Sequence, residues 1–232
     1  MKTEQDMQLN QTTMNVLKNF STINDNLVVS AGNVVKSMGE SRNIMAKATL
    51  DQEFPSGFGI YDLGEFLNVV SLVDSPTLGF TEDFATISDG SGRSRVKYFF
   101  SDPDILTSPT SDVKVSDCEV SFTLNNDTLN QLKRAGAALG HNSLSIRPDG
   151  KSLKLSIFAE DNPTGNTYDT VIAGTFPEGA QFDLILNIQH LKMIAGDYEV
   201  EVSSKGVAHL THDAECKMEY WIALEKSSKW EG

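Results

Sequence analysis

Apolar and polar positions recur with helical spacing in four segments of the chain. In the first, Thr12–Ile23, apolar side chains return every three or four positions and polar side chains occupy the opposite face, which is the period of an amphipathic helix. The same spacing predicts a second helix over Asp62–Val73, a third over Asp127–Leu139 and a shorter fourth over Ile188–Ala195. We therefore expect four helices, each with one buried face.

Capping residues mark the ends of the last three predicted helices. Asp62, Asn126 and Asn187 stand at the starts, where a short side-chain oxygen can accept a hydrogen bond from a free backbone N–H group. Gly140 and Gly196 follow the third and fourth helices, at the position where glycine readily adopts the left-handed backbone of a helix end.

Short strands follow each helix, and the turns between them carry Asp89-Gly90, Asp149-Gly150 and Lys205-Gly206. Such turns connect antiparallel strands, which argues against a doubly wound parallel sheet. The predicted strands are Leu27–Ser30, one beginning at Asn33, Thr77–Phe80, Ala85–Ser88, Arg95–Phe100, Ser143–Arg147, Ser152–Ala159, Tyr198–Ser203, Val207–Thr211 and Met218–Leu224.

One strand-to-helix junction recurs along the chain. Phe58, Phe122 and Phe182 each begin a short apolar strand that leads to a capping residue and a helix, and such recurrence indicates a duplicated unit. Between the second and third units, Ser101–Ser116 is rich in Ser, Thr, Asp and Pro, as extended linkers are. We predict an α+β protein of two domains, 1–100 and 117–232, joined by a connector over 101–116.

Composition and charge restrict the classes of function. The 232 residues are 39% hydrophobic and 22% charged, so a packed core is expected. The 19 Lys and Arg residues against 32 Asp and Glu give a net charge of −13. This charge argues against nucleic-acid binding unless the basic residues cluster on one surface of the protein. Neither a signal peptide nor a membrane span is evident, and Cys118 and Cys216 are expected to be free thiols.

Three blocks of sequence resemble the sliding clamps of T-even-type bacteriophages. Thr12–Asn24 is similar to the first helix of that family. Ile60–Leu67 with Ser71–Val73 resembles its second helix, and Gly196–Tyr198 and Tyr220–Glu225 resemble its C-terminal half. The likeness runs in order over nearly the whole chain, although the N-terminus is several residues longer and the linker has fewer prolines than is usual in the family.

The resemblance implies a two-domain clamp fold that assembles as a homotrimeric ring, with helices lining the hole and edge strands of neighbouring subunits pairing. It implies that the protein encircles double-stranded DNA and tethers the phage DNA polymerase through its C-terminal peptide. An ATP-driven clamp loader and late-transcription factors are further implied partners, and the cytoplasm of an infected bacterial host is the implied location. We expect neither a cofactor nor catalytic activity.

Basic residues on the polar helix faces are the predicted DNA-facing groups. The second helix carries Asp62 and Glu65 and no base, so it is left out of this group. A small number of basic side chains suits a protein that slides on DNA, because weak contacts to phosphates hold the duplex without reading its sequence. Ordinary solvated side chains are the alternative interpretation. The predicted group is Lys18, Lys133, Arg134 and Lys192.

The resemblance also implies a pocket beside the connector that captures a short, partly hydrophobic peptide. Ile105 and Leu106 lie between Pro103 and Pro109, where no regular strand is expected to bury them, so we expect this pair to face the peptide. Either Phe99 or Phe100 should point into the core, because successive strand residues alternate. The predicted partner-binding residues are Phe100, Ile105, Leu106, Trp221 and Ile222.

Other chemistries find little support in the sequence. His209 and His212, near Asp213, Glu215 and Cys216, have metal-ligand side chains, but residues three apart on a strand point to opposite faces. The glycine-rich stretch 88–93 lacks the Lys-Ser/Thr ending of a phosphate-binding loop. No nucleophile with a base and an acid stands out, although the many carboxylates leave an acid–base pair of a hydrolase open. A β-rich virion or tail subunit is the principal alternative to a clamp.

Overall fold

The computed structural model describes residues 5–91, 93–109, 111, 113–115 and 117–231, without the side chains of Gln5 and Asp213. Thr110, Asp112 and Ser116 of the predicted connector lie outside the described residues, as does position 92 of the glycine-rich stretch. The chain divides into two compact units. Unit 1 comprises the residues up to Ser111 together with Asp213–Met218, and unit 2 comprises the remainder.

Unit 1 contains two helices whose ends are fixed by side-chain caps. α1 spans Gln11–Ser21, and the side chain of Asn10 accepts a hydrogen bond of 2.7 Å from the Thr13 amide. α2 spans Leu63–Ser71 and is capped by Asp62, as predicted. Each helix buries one apolar stripe, which the periodicity had indicated. The buried apolar residues are Val16, Leu17 and Phe20 on α1 and Leu63, Phe66, Leu67 and Val70 on α2.

Two groups of antiparallel strands complete unit 1. The first has the order β1-β6-β7-β8 and the second the order β5-β2-β3-β4. The strands are β1 Gln5–Met7, β2 Leu27–Val29, β3 Gly32–Met38, β4 Ile44–Phe54, β5 Phe58–Ile60, β6 Thr77–Phe80, β7 Phe84–Ser88 and β8 Arg95–Phe99.

Unit 2 has one long helix, α3, which spans Asn126–Leu139. Its N-cap is Asn125, one residue before the predicted cap, and Gly140 ends it with a φ of 69°. The strands form the orders β12-β11-β10-β13-β17 and β16-β15-β14-β9. They are β9 Val120–Leu124, β10 Ser143–Asp149, β11 Ser152–Phe158, β12 Tyr168–Ala173, β13 Gln181–Asn187, β14 Tyr198–Ser203, β15 Val207–Asp213, β16 Lys217–Ala223 and β17 Lys229–Glu231.

The predicted fourth helix over Ile188–Ala195 is wrong. Asn187 does cap a helical turn, but this is a single 3-10 turn over Ile188–His190. Beyond it, the backbone of Ile194 bonds to two tyrosines: its N–H donates to the Tyr220 hydroxyl (3.2 Å) and its C=O accepts from the Tyr198 hydroxyl (2.6 Å). These bonds occupy the groups that a further helical turn would need, and so short a helix gains little by itself.

The antiparallel α+β architecture that the sequence predicted is confirmed. Four strands lie outside the predicted set: β1, β4, β12 and β17. Within the described part of the chain, no helix is long and apolar enough to cross a membrane.

Candidate functional site

The exposed face of α1 carries a single base. Gln11, Asn15 and Lys18 are exposed at positions separated by four and three residues, while Val16 and Leu17 hold the opposite face in the core. Lys18 lies in the last turn, where its positive charge interacts favourably with the negative end of the helix dipole. The structure therefore places Lys18 on the polar helix surface for which it was predicted.

The exposed face of α2 has the opposite character. Asp62, Glu65 and Asn68 are exposed along it, and none of its described residues is basic. Two large apolar side chains flank these polar groups, namely Tyr61 before the helix and Leu72 after it. In this helix, two carboxylates and two apolar side chains stand where α1 shows amides and a lysine.

α3 displays two neighbouring bases with different surroundings. Arg134 is exposed, whereas Lys133 is half-buried. Burial lowers the pKa of Lys133 from its ordinary value, because an ammonium group is less stable where water is excluded. A lysine in this position can lay its methylene chain along the protein and direct its amino group to solvent.

Lys192 does not lie on a helix, contrary to the prediction. It follows the 3-10 turn and is exposed between buried Leu191 and Met193. This turn packs against α3, since a side chain at Gly136 would stand 3.5 Å from Ile188. Unit 2 therefore presents Lys192 from a segment adjoining the helix that carries Lys133 and Arg134, while Lys18 belongs to unit 1. That these four residues face DNA stays a prediction.

The segment that follows β8 is anchored to β5. Phe100 is half-buried and stacks on Phe58 with a centroid distance of 4.8 Å. The backbone N–H of Ser101 donates to the Gly59 carbonyl at 2.9 Å. These contacts fix the start of the predicted connector on unit 1.

The expectation that Ile105 and Leu106 both face outward is wrong for Leu106. Ile105 ends a 3-10 turn over Pro103–Ile105 and is 71% exposed. Leu106 is only 9% exposed, because the missing side chain of Gly59 leaves room for it. Burial of Leu106 therefore occurs without a regular strand, and Ile105 remains the exposed member of the pair.

Trp221 and Ile222 are buried in the part of β16 that belongs to unit 2, at 6% and 0% exposure. The indole of Trp221 stacks on the ring of His209, with centroids 4.8 Å apart and planes 9° apart. In the folded chain these side chains therefore belong to the core, which corrects the expectation that they offer an exposed surface. A partner-binding role for any of the predicted residues stays a prediction.

The histidines of β15 have separate surroundings. His209 lies between carboxylates, 3.7 Å from Glu201 and 3.5 Å from Glu219, whereas Nδ1 of His212 is 2.8 Å from the carbonyl oxygen of Asp197. Across the described residues, no three His, Cys, Asp or Glu side chains converge as a metal site. Cys118 and Cys216 are free cysteines, so they form no disulfide with each other.

Two edge strands were missed as candidate interaction surfaces. β8 and β12 end their sheets and have five and six residues, whereas β1 and β17 at the opposite edges have three each. The exposed side chains of β8 are Arg95, Lys97 and Phe99, and those of β12 are Asp169, Val171 and Ala173. The signal in the sequence is the alternation of polar and apolar residues over Arg95, Val96 and Lys97.

Comparison with known proteins shows which proteins the chain resembles. A family model described as DNA polymerase processivity factor matches residues 8–91. The sliding clamp of Vibrio phage KVP40 is 28% identical over 94% of this chain and 99% of its own length. The resemblance to the sliding clamps of T-even-type phages is therefore confirmed over nearly the whole chain. The sliding clamp of Enterobacteria phage T4 is 24% identical over 96% of this chain and 98% of its own length, as the resemblance in the three sequence blocks indicated.

Solved structures show the same clamp fold. The proliferating cell nuclear antigen (PCNA) of Thermococcus kodakaraensis matches with a TM-score of 0.71 at 13% identity, over 96% of this chain and 99% of that one. The PCNA of Entamoeba histolytica matches with a TM-score of 0.67 at 13% identity, over 91% and 94% of the two chains. The predicted clamp fold is therefore confirmed, and the family model and the named relatives support the predicted sliding-clamp function.

Proposed function

We propose that this clamp closes as a ring of three copies around duplex DNA and holds the phage replicative polymerase on its template. The observation that carries the proposal is the placement of exposed Lys18 and Arg134 on helix faces in a chain of net charge −13. A small number of basic side chains on helix faces suits a surface that makes weak contacts with DNA phosphates. We assign the protein a tethering role without a catalytic step of its own.

Encirclement, rather than affinity, would keep the clamp on DNA. Each phosphate contact releases counterions and weakens as salt rises, and a net charge of −13 opposes binding of free duplex. A closed ring needs no strong contact, because the duplex can leave only through an end or an opened interface. Weak phosphate contacts would then centre the duplex without braking its movement.

Ring closure is assigned to β8 of one copy and β12 of the next. Both strands leave backbone groups available for pairing, and exposed edges of this length are normally covered. Their outward side chains are compatible, since Phe99 matches Val171 in polarity, and Asp169, which also pairs with Lys154 of its own copy, is opposite in charge to Arg95 and Lys97. Pairing of two different edges makes a head-to-tail contact between copies. Such contacts close into a ring when the rotation from one copy to the next divides a full turn evenly.

The polymerase peptide is assigned to the surface around Ile105. This side chain is exposed five residues after Phe100, whose half-buried ring stacks on Phe58, and exposed apolar surface of this kind can mark an interaction site. Leu106 would support the site from below through its contact with Gly59. An ATP-driven loader and late-transcription factors are proposed as further partners, in the cytoplasm of an infected bacterium.

A topological experiment tests the central proposal. The clamp is loaded on nicked circular DNA, filtered from free protein, and the DNA is then cut once or left uncut. We expect retention on circles and rapid loss after cutting, since a ring slides off an end. Nanomolar binding to short linear duplexes at physiological salt would instead show that affinity holds the protein, and the proposal would fail.

A further inference from the structure

A groove of about 370 Å³ lies on one face of the five-stranded sheet of unit 2. Its floor is formed by β10, β11 and β12, and the loop 159–167 forms one wall. Its volume falls at the small end of ligand sites in proteins. We call it the β10–β12 groove; its lining includes Arg147, Lys154, Ser156, Phe158, Pro163 and Asp169.

The guanidinium of Arg147 is held at the groove through its Nε atom. Nε donates to Oγ of the buried Ser145 at 2.7 Å and lies 3.2 Å from Oδ2 of Asp183. Within the described chain, the hydrogen bond of this guanidinium uses Nε, so its two terminal amino groups can serve a ligand. A cation already held in place loses little freedom on binding.

The second cation of the groove is paired with an acid, as Arg147 is with Asp183. Nζ of Lys154 lies 2.8 Å from Oδ2 of Asp169. Hydrogen bonds from Lys154 and Ser156 hold the pKa of Asp169 below its ordinary value, so this carboxylate remains ionised and engaged. An ammonium group has three donors, and those beyond the Asp169 bond are available to a second acceptor.

An apolar surface adjoins the two cations. The guanidinium carbon of Arg147 lies 5.8 Å from the ring centroid of Phe158, and Pro163 lines the loop wall. The other acid of the lining, Glu160, accepts a 2.8 Å hydrogen bond from the Ser143 hydroxyl. The groove therefore combines a forked donor, a point charge and an aromatic ring, which suits a carboxylate beside an apolar side chain.

We propose that the β10–β12 groove binds an acidic segment of a partner protein, with a carboxylate on Arg147 and a neighbouring aromatic side chain against Phe158. A protein fits better than DNA, because α3 packs on the other face of this sheet: Tyr168, which precedes groove-lining Asp169 on β12 and so points to the opposite face, donates to Gln131 of α3 at 3.2 Å. This step rests on the proposed function, which assigns α3 to the duplex. In a chain of charge −13, an acidic partner would bind through the N–H donors that Arg147 and Lys154 retain beyond their pairs with Asp183 and Asp169.

Fluorescence anisotropy of the intact clamp tests the proposal with a labelled hexapeptide of alternating Glu and Phe. We expect Arg147→Gln to weaken binding about tenfold, which corresponds to about 1.4 kcal/mol. Arg147→Lys should recover only part of the loss, since lysine keeps the charge and lacks the fork. Lys151→Gln is the matched control, because Lys151 is exposed at the β10–β11 turn and does not line the groove.

Three outcomes would overturn the proposal. The first is equal binding of a hexapeptide of alternating Gln and Phe, and the second is equal loss in Arg147→Gln and Lys151→Gln. The third is full displacement of the peptide by inorganic phosphate at the peptide's own concentration, which would indicate an anion site alone. The Lys18→Ala clamp should bind the peptide as wild type does, so failure of the DNA-facing assignment would leave this measurement unaffected.

Discussion

Gly59 and Leu106 are in contact, because an added Cβ at Gly59 would stand 2.8 Å from Leu106 Cδ1. The same Cβ would come closer still to the carbonyl oxygen of Ser101. This oxygen is a backbone atom, so it can move away only if the backbone of the segment shifts. This one glycine therefore positions the segment that begins the predicted connector. It also buries Leu106 and leaves Ile105 exposed.

Replacement of Gly59 by alanine should destabilise the clamp and expose Leu106. Overpacking of this kind costs about 1–3 kcal/mol, and urea unfolding followed by circular dichroism measures it. Gly90→Ala is the matched control, since a Cβ there meets nothing within 4 Å. Equal stability of the two variants would show that the segment does not depend on the Gly59 contact.

Removal of the four predicted DNA-facing bases should weaken retention on circular DNA without dissolving the ring. Every base that no longer neutralises a phosphate reduces the slope of the salt dependence by about one unit. The quadruple Ala variant of Lys18, Lys133, Arg134 and Lys192 should therefore show a flatter response to salt. Lys151→Ala with Lys226→Ala is the control, because both lysines are exposed and neither belongs to a helix. An equal effect from the control pair would refute the assignment.

Ile105→Ser should weaken a labelled C-terminal peptide of the polymerase about tenfold. Burial of one large apolar side chain contributes about 1.5–3 kcal/mol, and Ile105 is available for such burial because it is 71% exposed. Leu72→Ser is a suitable control, since Leu72 is 75% exposed on another element. Unchanged anisotropy curves for Ile105→Ser, with the trimer intact, would place the peptide elsewhere.

A charge reversal at either proposed ring edge should shift the trimer towards monomer. Lys97→Glu or Asp169→Lys would place like charges across the interface, and combining them should restore assembly. Sedimentation measured across a dilution series would report the mass, with three times 25.4 kDa expected for the wild type. If the single variants stay trimeric at every dilution, β8 and β12 do not form the interface.

Tyr98→Phe should change how stability depends on alkaline pH. Burial, with the nearby charges of Glu65 and Asp62, raises the pKa of Tyr98 to about 12. Between pH 10 and about 12 the folded chain holds a proton that the unfolded chain has lost, so stability falls as pH rises. Tyr98→Phe lacks this contribution, and its melting temperature should fall less steeply from pH 9 to 11. Parallel curves for the two proteins would contradict it.

The sequence predicted those elements whose determinants are local. α1, α2 and α3 follow from apolar spacing and capping side chains within a few residues of each end, and Gly140 marks a helix end for the same reason. The fourth helix failed because Tyr198 and Tyr220 bond to Ile194. No helical period reveals that tertiary contact, which comes from later strands of the chain.

The candidate site was predicted unevenly for the same reason. Exposure of Lys18 and Arg134 follows from the polar face of one helix. Burial of Leu106 depends on Gly59, 47 positions earlier in the chain, and burial of Trp221 depends on its neighbours in a sheet. β12 escaped detection because its residues alternate between exposed and half-buried positions, which gives little contrast between apolar and polar side chains.

The acidic face of α2 has a consequence for how a duplex would move inside the proposed ring. With Asp62 and Glu65 on α2 and bases on α1 and α3, the bore would carry repulsive sectors between attractive ones, repeated once per subunit. The electrostatic energy of the duplex would then vary as it rotates inside the ring, with three equivalent minima. As the ring follows the helical pitch of DNA, rotation would proceed in steps from one minimum to the next.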